Sequence, residues 1–429
     1  VHKIAWTALV LVAAFSPSAL FAAQPAQALS FEEAVAIALR SNPAYLAAQA
    51  DLEGAQAQVR VARAPLGPSV TLSDGFQTVA PVARLQTPIG ALPFSPNTTN
   101  VPLASVNYVL FDGATAARLA RADARLSGVA AAQREARGAT IGRVGQAYFS
   151  LAAALGVADA SDRAVATAGD HARLAQDRYR LGAAPRADVL QAQTQLAQAR
   201  LGAIDAHAAA DRAAIALDAA MGVPLSTAFR PTDALDAPAP PFSLESIVAA
   251  AQSSRGELLA AREAVVAARR AVDEAKSARA PRVGVTVSEG NVQPVVQPGL
   301  RGQFTVALNA VWTVYDNGAT SANVAVAEAG VRRASLDVEA LQTAVESEVR
   351  QSYSDLDAAG RRVAAARELV DLAIENAHLS DVRYRGGVGT MYELRDTELQ
   401  ETDARRALIT AEAALRGAVV ALRVAAGIE

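Results

Sequence analysis

The sequence predicts a mainly α-helical chain with a membrane β part, organised as a duplicated repeat of long coiled-coil helices and two strands each. Three observations carry that reading. Motifs recur in the same order in the two halves of the chain. Long proline-free stretches carry apolar residues at heptad spacing, and four short segments alternate in polarity as strands do.

The chain opens with VHKIAWTALVLVAAFSPSALFAAQPAQALS. Lys3 forms a short positive region, an apolar run follows, and Ala26-Gln27-Ala28 has the small-x-small form of a cleavage site. The run is almost long enough for a single N-terminal membrane anchor, but Pro17, Ser18 and the Ala-Gln-Ala exit favour reading residues 1–28 as a signal peptide, and cleavage would leave a net charge of about -4. No cysteine follows, so no N-terminal lipid anchor is expected. An exported chain whose later segments are too polar for membrane helices crosses a bilayer only as strands closed into a barrel.

The duplication follows. LSFEEAVAIAL from Leu29 is echoed by FSLESIVAAA from Phe242, and ARAPLGPSVTLS from Ala62 by ARAPRVGVTVS from Ala278. VLFDGATAARLARADA from Val109 is echoed by TVYDNGATSANVAVAEA from Thr313. The first repeat reads as 29–222 and the second as 242–429, joined by a Pro-rich linker at 223–241. Each repeat runs short helix, helix, two strands and two very long helices.

The long helices come from spacing. Ile141, Val144, Tyr148, Leu151 and Leu155 form one seam, and Leu190, Thr194, Ala197, Leu201, Ile204 and Ala208 a second. Val349, Tyr353, Leu356, Gly360, Val363, Arg367, Val370 and Ile374 form a third, and Leu408, Glu412, Leu415, Val419 and Leu422 a fourth. Arg367 and Glu412 interrupt the last two. No proline falls between Ala114 and Tyr179 or between Gly318 and Thr390. A helix of roughly 65 residues is about 100 Å long, so the object is elongated.

Barrel strands are expected within 68–80, 100–112, 281–294 and 302–316. Phe304, Val306, Leu308, Ala310 and Trp312 fall on one face of the last, with Gln303, Thr305 and Asn309 opposite. An apolar face against a polar one suits lipid outside and water inside, and Trp312 and Tyr315 suit an interfacial girdle. Four strands are too few to close around a wide lumen, so several chains are needed.

Two further motifs match. RYRLGAAPRADVL begins at Arg178 and RYRGGVGTMYELRD at Arg383. Each sits where one long helix hands over to the next, and Gly182, Gly386, Gly387 and Gly389 are expected to let the backbone reverse. Asp188 reads as a helix-start acid, and Thr390 to Glu393 as a capping box. Enzyme chemistry has no constellation here. Cysteine is absent, and His2, His171, His207 and His378 form no ligand pair at helical spacing. No metal, cofactor or catalytic residue is expected. A net charge of -3 gives no bulk attraction for nucleic acid.

The duplicated plan, LSFEEAVAIALRSNPAYLAAQADLEGAQAQVRVARAPLGPSV, the LFDG and VYDNG turns and the paired Arg-Tyr-Arg tips resemble the TolC-like outer-membrane efflux protein family over 29–429. The resemblance implies a homotrimer that pools its strands into one twelve-stranded β-barrel continuing into a periplasmic α-helical tunnel. It implies a passive outer-membrane exit duct of a tripartite efflux or type I secretion system. The expected partners are outer-membrane lipid, a periplasmic adaptor and an inner-membrane pump, proton-driven or ATP-driven. It implies that the tips, with Arg178, Tyr179, Gly182, Arg383, Gly386 and Gly387, dock the adaptor. It also places Glu393 and Asp396 at the pore constriction and Tyr384 at the position of a gating tyrosine. Gly389 stands where the family pattern has a basic residue, with Arg383 and Arg385 as the nearby cations. The competing reading is an exported coiled-coil structural or adaptor protein of the periplasm with its strands in a soluble domain.

Overall fold

The structure is a computed structural model that describes residues 27–78, 80–81, 84–93, 98–225, 227–292 and 301–428. Residues 1–26 of the expected leader lie outside the described residues. Strand β1 (Gln27–Leu29) leads into helix α1 (Phe31–Ser41), which Ser30 and Glu33 start with a capping box. Asn42 caps α2 (Pro43–Arg63) by accepting from the Ala44 and Tyr45 amides. Strand β2 (Ser69–Thr78), a small hairpin of β3 (Arg84–Thr87) and β4 (Gly90–Pro93), and β5 (Thr98–Phe111) follow. Then come α3 (Gly113–Arg180) and α4 (Arg186–Met221), β6 (Phe229–Pro231), α5 (Leu244–Ser254) and α6 (Gly256–Ser277). Strands β7 (Arg282–Val292) and β8 (Arg301–Val311) lead into α7 (Ala319–Arg385) and α8 (Met391–Ala425).

The LFDG and VYDNG motifs act alike. Asp112 accepts from the Ala114 amide to start α3, and Asp316 accepts from the Gly318 and Thr320 amides to start α7. The two helices have 68 and 67 residues, which gives each about 100 Å. No described helix is long and apolar enough to cross a membrane.

The repeats also share how they close. Ser41 donates to the Met221 carbonyl and Asn42 to the Ala220 carbonyl, which satisfies the end of α4. Ser254 and Arg255 do the same for Ala426 and Ala425 at the end of α8. The second repeat replaces Asn by a charged group, and Arg255, 6 % exposed, reaches Glu135 at 3.3 Å and Glu348 at 2.9 Å. The joining segment carries β6, which pairs in parallel with β1. Asp233 accepts from the Phe31 amide at 2.7 Å and from the Tyr148 hydroxyl at 2.5 Å. Burial and that carboxylate push the Tyr148 phenol up to about 12.

Helix α3 packs against α4 on one side and α8 on the other, and α8 packs against α7. Helix α6 also lies against both α3 and α7, and α2 against α3, so the wall order is α4–α3–α8–α7 in one part and α2–α3–α6–α7 in the other. Val144, Tyr148 and Leu151 are buried, as are Val349, Leu356 and Val363 in α7 and Leu415, Val419 and Leu422 in α8. The two polar seam residues answer each other, since Arg367 meets Glu412 at 3.0 Å between α7 and α8. The α4 seam behaves differently. Leu190, Leu201 and Ile204 are 53 %, 64 % and 64 % exposed, while Val189, Ala192, Ala203, Ala206 and Ala210 are buried instead. Small residues bring α4 close to α3 and turn its larger apolar stripe away from the chain.

One antiparallel sheet has the order β2–β5–β7–β8. Two adjacent cross-strand rows near its middle separate by chemistry, whereas the next row on the valine face carries Glu289. Val70, Val106, Val287 and Val306 stand opposite one another in register, while Thr71, Ser105, Ser288 and Thr305 form the adjacent row on the other face. Val285, Tyr108 and Leu308 extend the apolar face, and Thr286 and Asn107 the polar one, where their side chains hydrogen bond at 2.9 Å. The strands match the expected positions with shifted ends. β5 begins at Thr98, and β8 ends at Val311, so Trp312 to Asp316 leave the ladder. The Trp312 indole instead donates to the Arg279 carbonyl at 3.0 Å. Residues 79, 293 and 294 lie outside the described residues. The β3–β4 hairpin was not expected from alternation.

Candidate functional site: the paired helical tips

The two Arg-Tyr-Arg motifs build the same turn twice. At the end of α3 the Ala183 amide donates to the Arg178 carbonyl and the Gly182 amide to Tyr179. At the end of α7 the Val388 amide donates to Arg383 and the Gly387 amide to Tyr384. Each is a Schellman closure, with the reversing residue in the left-handed region. Gly182 has φ of 73° and Gly387 of 78°. Gly386 has φ of -72°, so the expectation that it reverses the chain is corrected, because its backbone is still right-handed helical. Gly389 is needed for closeness instead, since a Cβ there would stand 3.0 Å from the Tyr384 nitrogen.

The tips present apolar residues outward. Leu181 is 83 % exposed and Val388 75 %, flanked by the cations Arg180, Arg383 and Arg385. Tyr179 is 43 % exposed, whereas Tyr384 is 2 % exposed. Tyr384 packs with Ala175, Val189, Ala192, Met391 and Leu394, so all four long helices meet around its ring. Arg178 turns inward across the tips. Its guanidinium lies 5.0 Å from the Tyr384 ring centre and donates to the Tyr384 and Arg385 carbonyls at 2.8 Å each. A cation from the first repeat thus caps the C-terminus of α7 in the second.

The acids differ in their partners. Glu393 completes the capping box, accepting from the Thr390 amide while its own amide donates to the Thr390 hydroxyl. Arg383 approaches it at 3.8 Å. Among the described residues Asp396 accepts only from the Gln400 side-chain amide, at 2.9 Å. Glu393 and Asp396 lie three residues apart, on one side of α8. Asp188 sits in the first turn of α4. Arg385 pairs with Asp381 at 2.9 Å, which holds its own pKa above the usual value.

Replacing Gly182 and Gly387 together with Val should strain both closures by about 1–2 kcal/mol each, because Cβ disfavours the left-handed region. On the family resemblance, the expected result is a membrane-inserted assembly with weakened adaptor-dependent export. Export at the normal rate by the double variant would remove the tips from docking.

Among the described residues no cluster of His, Asp and Glu has the arrangement of a metal site. Three residues that spacing did not single out lie just inside the tips. His171 of α3 is 5 % exposed, and its Nε2 meets the Glu398 carboxylate of α8. Gln195 of α4 donates to the same carboxylate at 2.9 Å. Nothing local in sequence marks this contact, since the partners lie in different repeats.

The family model described as outer membrane efflux protein matches residues 34–223 and 247–428. Protein CyaE of Bordetella pertussis is 30 % identical over 410 residues, covering 93 % of this chain and 84 % of that protein. Outer membrane efflux protein BepC of Brucella suis is 25 % identical over 363 residues, covering 84 % of this chain and 77 % of its own. The solved outer membrane protein VceC of Vibrio cholerae superimposes with a TM-score of 0.74 at 20 % identity, covering 92 % of this chain and 96 % of that one.

Proposed function

The chain belongs to the outer membrane efflux protein family, and from this premise we propose that it is the passive outer-membrane exit duct of a tripartite efflux or type I secretion system. It carries small molecules or proteins from a periplasmic adaptor and an inner-membrane pump, proton-driven or ATP-driven, to the exterior. The chain is exported through a cleaved, non-lipidated leader and works as a homotrimer. Its three sheets join into a twelve-stranded barrel, and its helices form the periplasmic tunnel. The single observation that carries this reading is the sheet whose valine row and hydroxyl row face opposite ways, joined directly to helices about 100 Å long.

Cyclic assembly follows from what one chain leaves open. The sheet ends in β2 on one side and β8 on the other, and joining the β8 of each copy to the β2 of the next removes every edge. In its α4–α3–α8–α7 part the helical wall ends in α4 and α7 in the same way. Leu190, Leu201 and Ile204 line the α4 edge, and Leu369, Leu372, Leu379 and Val382, each more than half exposed, line α7. Two different surfaces meeting head to tail make a ring when the rotation closes.

The test is the assembly itself. Leu201→Glu with Ile204→Glu places charge in the α4 stripe without touching the packing of α4 on α3. The expected result is loss of the heat-modifiable trimer from the outer-membrane fraction. A trimer at normal yield would show that this stripe is not the contact. Absence of the wild-type protein from outer membranes would overturn the duct.

A further inference from the structure

We propose that His171 and Glu398 form a proton-operated latch that holds the α3–α4 hairpin to the α7–α8 hairpin just inside the tips. The proposal extends the duct reading by adding a second closure, inside the wall of each chain and distinct from the acids Glu393 and Asp396.

Position comes first. His171 lies on α3 two turns before Arg178, and Glu398 lies on α8 two turns after Met391, so the pair bridges the repeats beneath the packed tip. With Arg178 capping α7, it makes two cross-repeat polar contacts on neighbouring levels of one four-helix end.

Chemistry comes second. Burial disfavours the charged imidazole, but the hydrogen bond and charge of Glu398, aided by Asp381 of α7 and opposed by Arg385 of α7, hold its pKa above the usual value. Helix α4 contributes the neutral Gln195, which donates to Glu398. A group whose pKa is raised in the latched state contributes its full stabilisation at pH below its released value. That contribution disappears as pH rises through the raised value. Deprotonation at Nδ1 leaves the largely buried Glu398 carboxylate with hydrogen bonds from Gln195 and the neutral ring but without its opposite charge, which weakens the closed arrangement.

Third, the packed end contains groups that gain from opening. Among the described residues, His171 Nδ1 and the Tyr384 hydroxyl are both buried without a hydrogen-bond partner. Each unsatisfied group opposes closure. The ion pair therefore holds shut an end whose other polar groups favour water, and the balance tips on one proton per chain.

The chain has no cysteine, so one introduced thiol reports opening without interference. Ala175 is fully buried beside Tyr384, and Ala175→Cys places the reporter there. Labelling of the purified trimer by a neutral thiol reagent is normalised to an exposed Cys at Ala183, which removes the reagent's own pH dependence. The expected result is slow labelling below the ordinary histidine range that rises severalfold as the pH is taken above it. His171→Gln and Glu398→Gln, each in that background, should label at the fast rate throughout. Planar-bilayer conductance should follow the same profile, and the step should persist in Glu393→Gln, Asp396→Asn. A labelling step without conductance would support the latch and overturn the duct. A flat wild-type profile, or an unchanged step in His171→Gln, would overturn the latch. Should neither latch variant assemble, the wild-type profile alone decides.

Discussion

Val306→Arg is expected to abolish stable insertion of the trimer, whereas Thr305→Arg, one residue away, is expected to leave it in the membrane. The contrast follows from the pleat. Val306 stands in the row Val70, Val106, Val287, Val306, and Thr305 in the row Thr71, Ser105, Ser288, Thr305 on the opposite face. In the proposed trimeric barrel, the first row would form a belt of valines against lipid and the second a belt of hydroxyls around water. An arginine at mid-depth on the lipid face costs roughly 2–4 kcal/mol per chain, and three copies about 6–12 kcal/mol per trimer. That is comparable to the whole stability of an ordinary domain. On the lumen face the same side chain stays hydrated and changes only the pore's charge. The yield of heat-modifiable trimer in outer membranes measures both variants. Loss of the Thr305 variant with retention of the Val306 variant would reverse the assigned faces, and equal yields would remove the barrel.

The residues that were legible in sequence are those whose role is set by their own backbone or by near neighbours. Gly182 and Gly387 are legible because a Schellman turn needs a left-handed residue one place beyond the cap. The β8 faces are legible because alternation has one period and one meaning. Seams are legible as seams, but 3–4 spacing does not say whose helix will cover them. Val144 and Leu415 meet partners within the chain, while Leu201 and Ile204, at the same spacing, face outward. Arg367 and Glu412 read as flaws until the register between α7 and α8 places them 3.0 Å apart. Arg178 shows the limit most clearly. Read as a docking cation, it is turned inward by carbonyls of residues 384 and 385, which only the fold brings near. His171, Glu398 and Arg255 share that property, since their partners lie in another repeat or another turn of the wall. Burial of ionic groups is a tertiary fact, and local composition is silent on it.

Neutralising the tip acids should change what the mouth admits. Glu393 and Asp396 lie on one side of α8, and in a trimer whose α8 helices turn that side inward, six carboxylates surround one aperture. Like charges in a narrow, partly dehydrated ring repel, and an entering cation relieves that repulsion. The wild-type trimer should therefore prefer cations and be blocked by divalent cations from the periplasmic side. Glu393→Gln keeps the capping box, because glutamine reaches back to the Thr390 amide as glutamate does. Asp396→Asn keeps an acceptor for Gln400. The fold is thus left intact while the charge is removed, and block and cation preference should both disappear. The two acids should not contribute equally. Arg383 stands 3.8 Å from Glu393 and offsets part of its field, whereas Asp396 has, among the described residues, only a neutral partner. Asp396→Asn alone should remove most of the divalent block, and Glu393→Gln alone the smaller share. Planar-bilayer recording of the two single variants and the double variant measures this order directly. Unchanged selectivity and block in the double variant would reduce Glu393 to a cap and Asp396 to a surface acid. Block lost with Glu393→Gln but kept with Asp396→Asn would reverse their ranking, and would mean that Arg383 swings away from Glu393 when the three chains assemble.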